Sequence, residues 1–245
     1  MTREERAEEG ALGVRLAGVR ARVEEAARRA GRDPREVTLV GVSKTHPAAL
    51  VGEAFAAGLS DFGENRVQEA EGKIEELKAS AAGARWHLIG HLQSNKARKA
   101  ARLFDLVHTV DSAALAGRLE RACEEDGRGR LDVLLQIDLA GEPTKNGARE
   151  EELPEILRAL EGCARVRCRG LMTLPPYFDE VERVRPYFRR LRELRDRLRA
   201  GGLFGDSAGE LSMGMSHDFE AAVEEGATLV RVGTAIFGER PRPAA

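Results

Sequence analysis

The sequence predicts an α/β fold of the TIM-barrel kind, a (β/α)8 barrel with an extra amino-terminal helix. Three observations lead there. A short apolar strand, a polar turn and a helical stretch recur eight times in 245 residues, close to the ~250 residues typical of such barrels. No Gly-x-Gly-x-x-Gly follows the first strand, which argues against the rival doubly wound open sheet. No Pro/Gly/Ser-rich linker divides the chain, so residues 1–245 are expected to form one domain.

Residues 3–30 read as one long charged amphipathic helix packed on the barrel, ended by Gly31 with Pro34 just beyond. Strands are expected at 37–44, 59–64, 85–90, 106–111, 131–139, 166–174, 209–213 and 229–233, because apolar and β-branched residues cluster there between turn signals. Helical patterns fall between them at 48–58, 65–79, 94–104, 112–126, 149–161, 181–200 and 216–225. The stretch 183–199 carries eight arginines. Interleaved Glu193 and Asp196, with Val184, Phe188, Leu191, Leu194 and Leu198 at helical spacing, make it an amphipathic outer helix rather than an RNA-binding face.

Composition narrows the function class. Charged residues make up 33% at a formal net charge of -2, so nothing global points to nucleic acid or an anionic membrane. The start, Met1 to Arg6, lacks the apolar core of a signal peptide, and no segment approaches the ~20 apolar residues of a membrane span. Cys123, Cys163 and Cys168 are odd in number and lack metal or redox spacing, which suits reduced thiols in a cytoplasmic protein. His87 and His91 are four apart, but without a helix under them they read as a strand residue and a loop residue, not a metal pair.

In a parallel barrel, chemistry gathers at the carboxyl ends of the strands. Those ends collect Lys44, Asn65, His91, Asp111, Asp138, Met172-Thr173, Ser212-Met213 and Gly233-Thr234. Lys44 stands out because the chain has six lysines against thirty-three arginines. A desolvated amine can lose its proton and attack a carbonyl, whereas a guanidinium cannot. Taken alone, Lys44 would be an ordinary strand-end lysine; its neighbours change that.

After strand seven comes Leu211-Ser212-Met213-Gly214-Met215-Ser216, and after strand eight Gly233-Thr234 opens a short helical turn. Small residues let backbone amides approach an anion, and barrels often hold phosphate between these two loops. Arg231 lies two residues before Gly233, so alternation puts both on one face. An arginine inside a barrel needs a partner. The ring nitrogen of a cofactor and a strand carboxylate such as Asp138 are the two readings.

A Schiff-base amine, a phosphate cradle and a polar partner for a ring describe a pyridoxal 5'-phosphate (PLP) site. Here the chain resembles the YggS/PROSC family, the PLP homeostasis proteins, whose members are similar to the barrel domain of alanine racemase. The resemblance rests on Val42-Ser43-Lys44-Thr45, Phe62-Gly63-Glu64-Asn65-Arg66-Val67-Gln68-Glu69, Trp86 to Lys96, Gly170-Leu171-Met172-Thr173, Leu211 to Ser216 and Val230 to Gly238, in order over nearly the whole chain. It implies PLP as a Schiff base on Lys44, phosphate on Ser212, Gly233 and Thr234 with nearby amides such as those of Met213 and Gly214, Asn65 near the cofactor, and Arg231 against the pyridine nitrogen. It also implies a cofactor-holding protein with PLP-dependent apo-enzymes as partners and a monomeric state. His46 stands where many members carry a second lysine, and the role of Lys145, in the loop after strand five, is open.

Catalysis is not expected. Arginine beside the pyridine nitrogen disfavours its protonation, because two cations would face each other, and this weakens the ring as an electron sink. A racemase also needs a second base, supplied in alanine racemases by a tyrosine of another domain. This chain has only Tyr177 and Tyr187, both in the sixth βα region. A PLP-dependent amino-acid racemase is the alternative, and a Schiff-base aldolase without cofactor, which would not need Arg231, is the third reading.

Overall fold

The computed structural model describes residues 3–142, 146–205 and 207–239, with side chains from residue 11 onward. Eight parallel strands close into a barrel in sequential order. They are β1 Thr38–Val42, β2 Asp61–Glu64, β3 Arg85–Leu88, β4 Leu106–Val110, β5 Leu131–Gln136, β6 Val166–Met172, β7 Glu210–Ser212 and β8 Leu229–Val232. Closure is made by β8 beside β1, with Val40 next to Arg231 in register. Every expected strand is present but shorter, because ladder pairing stops where the polar turn residues begin. Lys44, Asn65 and His91 therefore lie in loops just past their strands.

The helices are α1 Arg3–Arg29, α2 Ala48–Ala56, α3 Val67–Leu77, α4 Ala97–Leu103, α5 Ala113–Glu125, α6 Leu153–Glu161, α7 Arg185–Ala200, α8 Phe219–Glu224 and α9 Thr234–Phe237. Three segments expected as continuous helices, at 94–104, 149–161 and 181–200, each begin with a 3-10 turn. Pro154 and Pro186 occupy the first turns of α6 and α7, where a missing N–H does no harm and the fixed φ starts the helix.

Two apolar regions result. The larger lies between strands and helices and contains the fully buried Phe62, Phe104, Phe188 and Phe219. Burying such a ring stabilises by roughly 1.5–3 kcal/mol. The smaller is the inner set Val40, Leu106, Leu134, Met172 and Leu229, against which Leu174 packs. On β8, Val230 and Val232 join the outer region while Leu229 faces inward, so the period-2 pattern of a strand carries Arg231 inward as well.

Helix α1 straps the barrel through Leu12, Leu16, Val19, Val23, Ala26 and Ala27, all buried, packing on α2, α8 and α9. Arg15 Nε donates to the Ile236 carbonyl at 2.7 Å. Gly31, at φ 67°, ends the strap as expected. Helix α7 buries Phe188, Leu191 and Leu194. On its polar face Arg189 and Arg192 reach Glu225 at 3.0 Å, and Arg190 and Arg197 reach Glu150 at 2.8 and 2.9 Å. Among the described residues, no helix is long and apolar enough to cross a membrane, and no group of His, Cys, Asp or Glu is arranged to hold a metal.

Candidate functional site

Lys44 sits half-buried in the turn after β1. Its neighbour Thr45 adopts φ 67°, a left-handed conformation that is uncommon for a residue with a Cβ. Side chains from α3 hold this turn. Thr45 N donates to Glu69 Oε1 at 2.5 Å, and Lys73 Nζ donates to the Ser43 carbonyl, Glu64 Oε1 and Glu69 Oε1 at 2.7, 2.7 and 2.8 Å. Ser43 Oγ donates to the same Glu64 Oε1 at 2.7 Å. Burial pushes the Glu64 carboxyl above its usual range, against the hydrogen bonds from Lys73 and Ser43. Glu69 goes the other way, because its bonds from Lys73 and Thr45 outweigh its burial.

Arg231 is buried inside the barrel. Nη1 donates to Ser212 Oγ at 2.5 Å and Nη2 to the Thr173 carbonyl at 2.9 Å. Among the described residues no carboxylate forms an ion pair with it. Burial pulls its pKa down to about 10, with Asp218 opposing that shift, so it remains a cation at neutral pH. The Asp138 reading is therefore corrected: Asp138 Oδ1 accepts from the Ala140 and Gly141 amides at 3.1 and 3.0 Å and closes its own turn.

At the two small-residue loops, Gly233 N donates to Ser216 Oγ at 3.2 Å, which joins the loop after β7 to the one after β8. Thr234 opens α9 and is exposed. Gly214 lies at φ 91°, and a Cβ there would come within 2.6 Å of Ala222 Cβ, so glycine is required on two counts. Asn65 lines a groove of about 410 Å³ with Arg66, Gln68, His91 and Lys96.

The family model for the alanine racemase N-terminal domain matches residues 14–241. The pyridoxal phosphate homeostasis protein of Pseudomonas aeruginosa is 48% identical over 225 residues, covering 92% of this chain and 94% of that protein. The chain belongs to the pyridoxal phosphate homeostasis family. Its Aquifex aeolicus relative of the same name is 44% identical over 226 residues, 92% of this chain and 97% of that one. PipY of Synechococcus elongatus, solved with PLP bound, is similar at 41% identity and a TM-score of 0.81, covering 93% of this chain and all of that one.

Within this homeostasis-family chain, two residues of the expected phosphate set have side chains engaged elsewhere. The Ser212 hydroxyl is fully buried and bonded to Arg231 and to His108 Nδ1, at 2.8 Å for the latter. It is thus a hydrogen-bond partner of the arginine, at the end of β7. Met213 packs in the outer apolar region and its amide donates to the Leu229 carbonyl. Alternation explains both: Ser212 and Met213 point to opposite sides of the barrel wall. Ser216, named only as a helix start, lies beside Gly233 through its hydroxyl.

His46, the departure from the family pattern, is buried with its ring 5.3 Å from that of Phe237. Lys145 and Thr144 lie outside the described residues. Sequence reasoning missed Lys73, His87 and His108 as members of the site. The signal for Lys73 was a lysine on the apolar stripe Val67, Ala70, Ile74 and Leu77 of α3, four residues after Glu69.

Proposed function

We propose that this chain binds PLP through a Schiff base on Lys44 and serves intracellular PLP homeostasis as a holder and donor of the cofactor, without amino-acid turnover. The observation that carries this reading is Arg231, a buried cation hydrogen-bonded to a hydroxyl and a carbonyl and, among the described residues, in ion-pair contact with no carboxylate. The donor set fits PLP part by part. Lys44 provides the amine, Ser212, Gly233 and Thr234 with the neighbouring loop amides the anion cradle, Arg231 a donor for the ring nitrogen, and Asn65 a polar wall. Bound PLP supplies an aldehyde for an amine and an electron-withdrawing ring.

The chain's own residues hold and orient rather than react. Lys73 and Glu69 fix the turn that carries Lys44. Arg231 keeps a positive charge where a proton on the ring nitrogen would otherwise sit, which damps carbanion chemistry. PLP-dependent apo-enzymes are the proposed recipients, and the working unit is proposed to be a monomer. The PLP-bound PipY structure, at 41% identity, supports the cofactor assignment.

The test is reduction of the PLP-loaded protein with borohydride followed by peptide mapping. The cofactor mass is expected on the peptide carrying Lys44, and a label on Lys73 or Lys96 with Lys44 free would overturn the assignment. The racemase alternative is decided by exchange of the α-hydrogen of alanine in deuterated water with chiral analysis. Exchange barely above that of free PLP supports a carrier; turnover of about 1–1000 per second establishes the racemase.

A further inference from the structure

A continuous polar chain crosses the barrel interior and ends at Arg231. His87 Nε2 lies 3.0 Å from Asp61 Oδ1, His87 Nδ1 lies 2.9 Å from His108 Nε2, and His108 Nδ1 lies 2.8 Å from Ser212 Oγ, which accepts from Arg231. Both imidazoles are fully buried. Asp61 and Arg85 begin β2 and β3 at the amino end of the barrel, and Asp61 borders a surface groove of about 360 Å³. The chain therefore runs from solvent at the base to the arginine near the mouth.

We propose that Asp61, His87, His108 and Ser212 form a proton relay that couples the hydrogen-bonding state of Arg231 to a proton stored at the opposite end of the barrel. This deepens the function reading above, since Arg231 is the ring partner there. With both imidazoles neutral, one pattern satisfies every atom. His87 Nε2–H donates to Asp61, His108 Nε2–H donates to His87 Nδ1, and the Ser212 hydroxyl donates to His108 Nδ1. A proton arriving at Ser212 Oγ displaces the hydroxyl hydrogen onto His108 Nδ1, and the Nε2 hydrogen of His108 passes to His87 Nδ1. The extra proton is then stored as an imidazolium paired with the Asp61 carboxylate. His108 stays neutral throughout, in keeping with its burial and the nearby Arg231 and His87. Every bond from His87 to Ser212 has reversed, and the Ser212 hydrogen is released toward other acceptors beside Arg231.

The charged groups around this chain are few. Asp61 faces Arg85 at 3.5 Å and accepts from Ser60 Oγ at 2.7 Å. Arg85 shares a cavity of about 120 Å³ with Asp132, Arg169 and Glu210. Asp218 faces Arg231 electrostatically from the loop after β7.

The test is a pH titration of the cofactor-free protein by long-range ¹H–¹⁵N NMR of His87 and His108, repeated on the PLP-loaded protein with its absorption spectrum. At high pH both histidines are expected with hydrogen on Nε2. On acidification His87 gains one proton while His108 moves its hydrogen to Nδ1, with one shared midpoint that the spectrum follows. Asp61→Asn should lower that midpoint by about 1–3 pH units, having lost the anion beside His87. Arg85→Gln, at an exposed position that leaves folding unharmed, should raise it, having lost a cation. Independent titrations, an Nδ1–H tautomer of His108 at high pH, or a midpoint unmoved by Arg85→Gln would overturn the relay. Failure to bind PLP overturns the function reading while the imidazole titration still decides the relay. A spectrum indifferent to the imidazole midpoint overturns the link to Arg231.

Discussion

Lys44 and Lys73 are the same side chain under two regimes. Lys73 is buried against two carboxylates and a carbonyl, whereas Lys44 stands half-buried at the barrel mouth. Lys73→Met should therefore destabilise by about 3–5 kcal/mol, the cost of leaving Glu64 as an uncompensated buried charge. Lys44→Ala should stay within about 1 kcal/mol. Urea unfolding of the two variants checks the contrast. At the cradle, Thr234→Val should weaken PLP binding by about 1–3 kcal/mol, the loss of a hydrogen bond to a charged group. Pyridoxal without phosphate should bind equally well to both forms; an equal loss for both ligands would assign Thr234 to the fold. Lys44 and Arg231 were legible in the sequence because each is an anomalous residue type at a barrel position. His108 was not, because Leu106-Val107-His108-Thr109-Val110 reads as an ordinary strand until the fold brings β3, β4 and β7 around one interior.

Among the elements, the eight strands were legible because their apolar runs are separated by unambiguous turns. Their ends were not, since ladder length depends on the neighbouring strand, which the local sequence does not contain. At β7 the ladder ends one residue before the expected 213, yet Met213 still packs its side chain in the outer apolar region and its amide on the Leu229 carbonyl. Loop positions depend on close backbone approaches of the same kind. A Cβ on Gly90 would meet the Asn65 backbone, with Asn65 Cα at 2.7 Å. Gly90→Ala should push the loop after β2 away from that after β3 and weaken PLP binding as well as stability. Gly117, exposed within α5 with nothing near its missing Cβ, gives the control. Gly117→Ala should stabilise by about 0.4–1 kcal/mol and leave binding unchanged, as thermal melts and equilibrium titration would show.

For the molecule as a whole, pH dependence separates the interior from the surface. His108 is held well below its ordinary range by burial, so the folded state refuses a proton that the unfolded chain accepts. Its contribution is present above the unfolded value of about 6.5 and is lost as the pH falls below it. The carboxylates give a mixed signal lower down. Asp61 and Glu69 are depressed and lose stabilisation as they protonate, while Glu64, Asp111 and Asp218 are raised and regain some. Unfolding midpoints measured in urea should therefore begin to fall as the pH drops below about 6.5, where the unfolded histidine takes up its proton. His108→Gln should flatten that upper limb; an unchanged slope between pH 7 and 5 would show that His108 is protonated in the fold.

The four-residue α9 has no independent stability, being far too short to hold itself as a helix. Its shape is borrowed from both sides, through Arg15 of α1 on the Ile236 carbonyl and His46 against Phe237. Thr234 is thus the visible end of a clasp whose other end is the first helix of the chain. Gripping a ligand at Thr234 should tighten that clasp as a unit, and slower amide hydrogen exchange along residues 12–27, none of which belongs to the cradle, would record it.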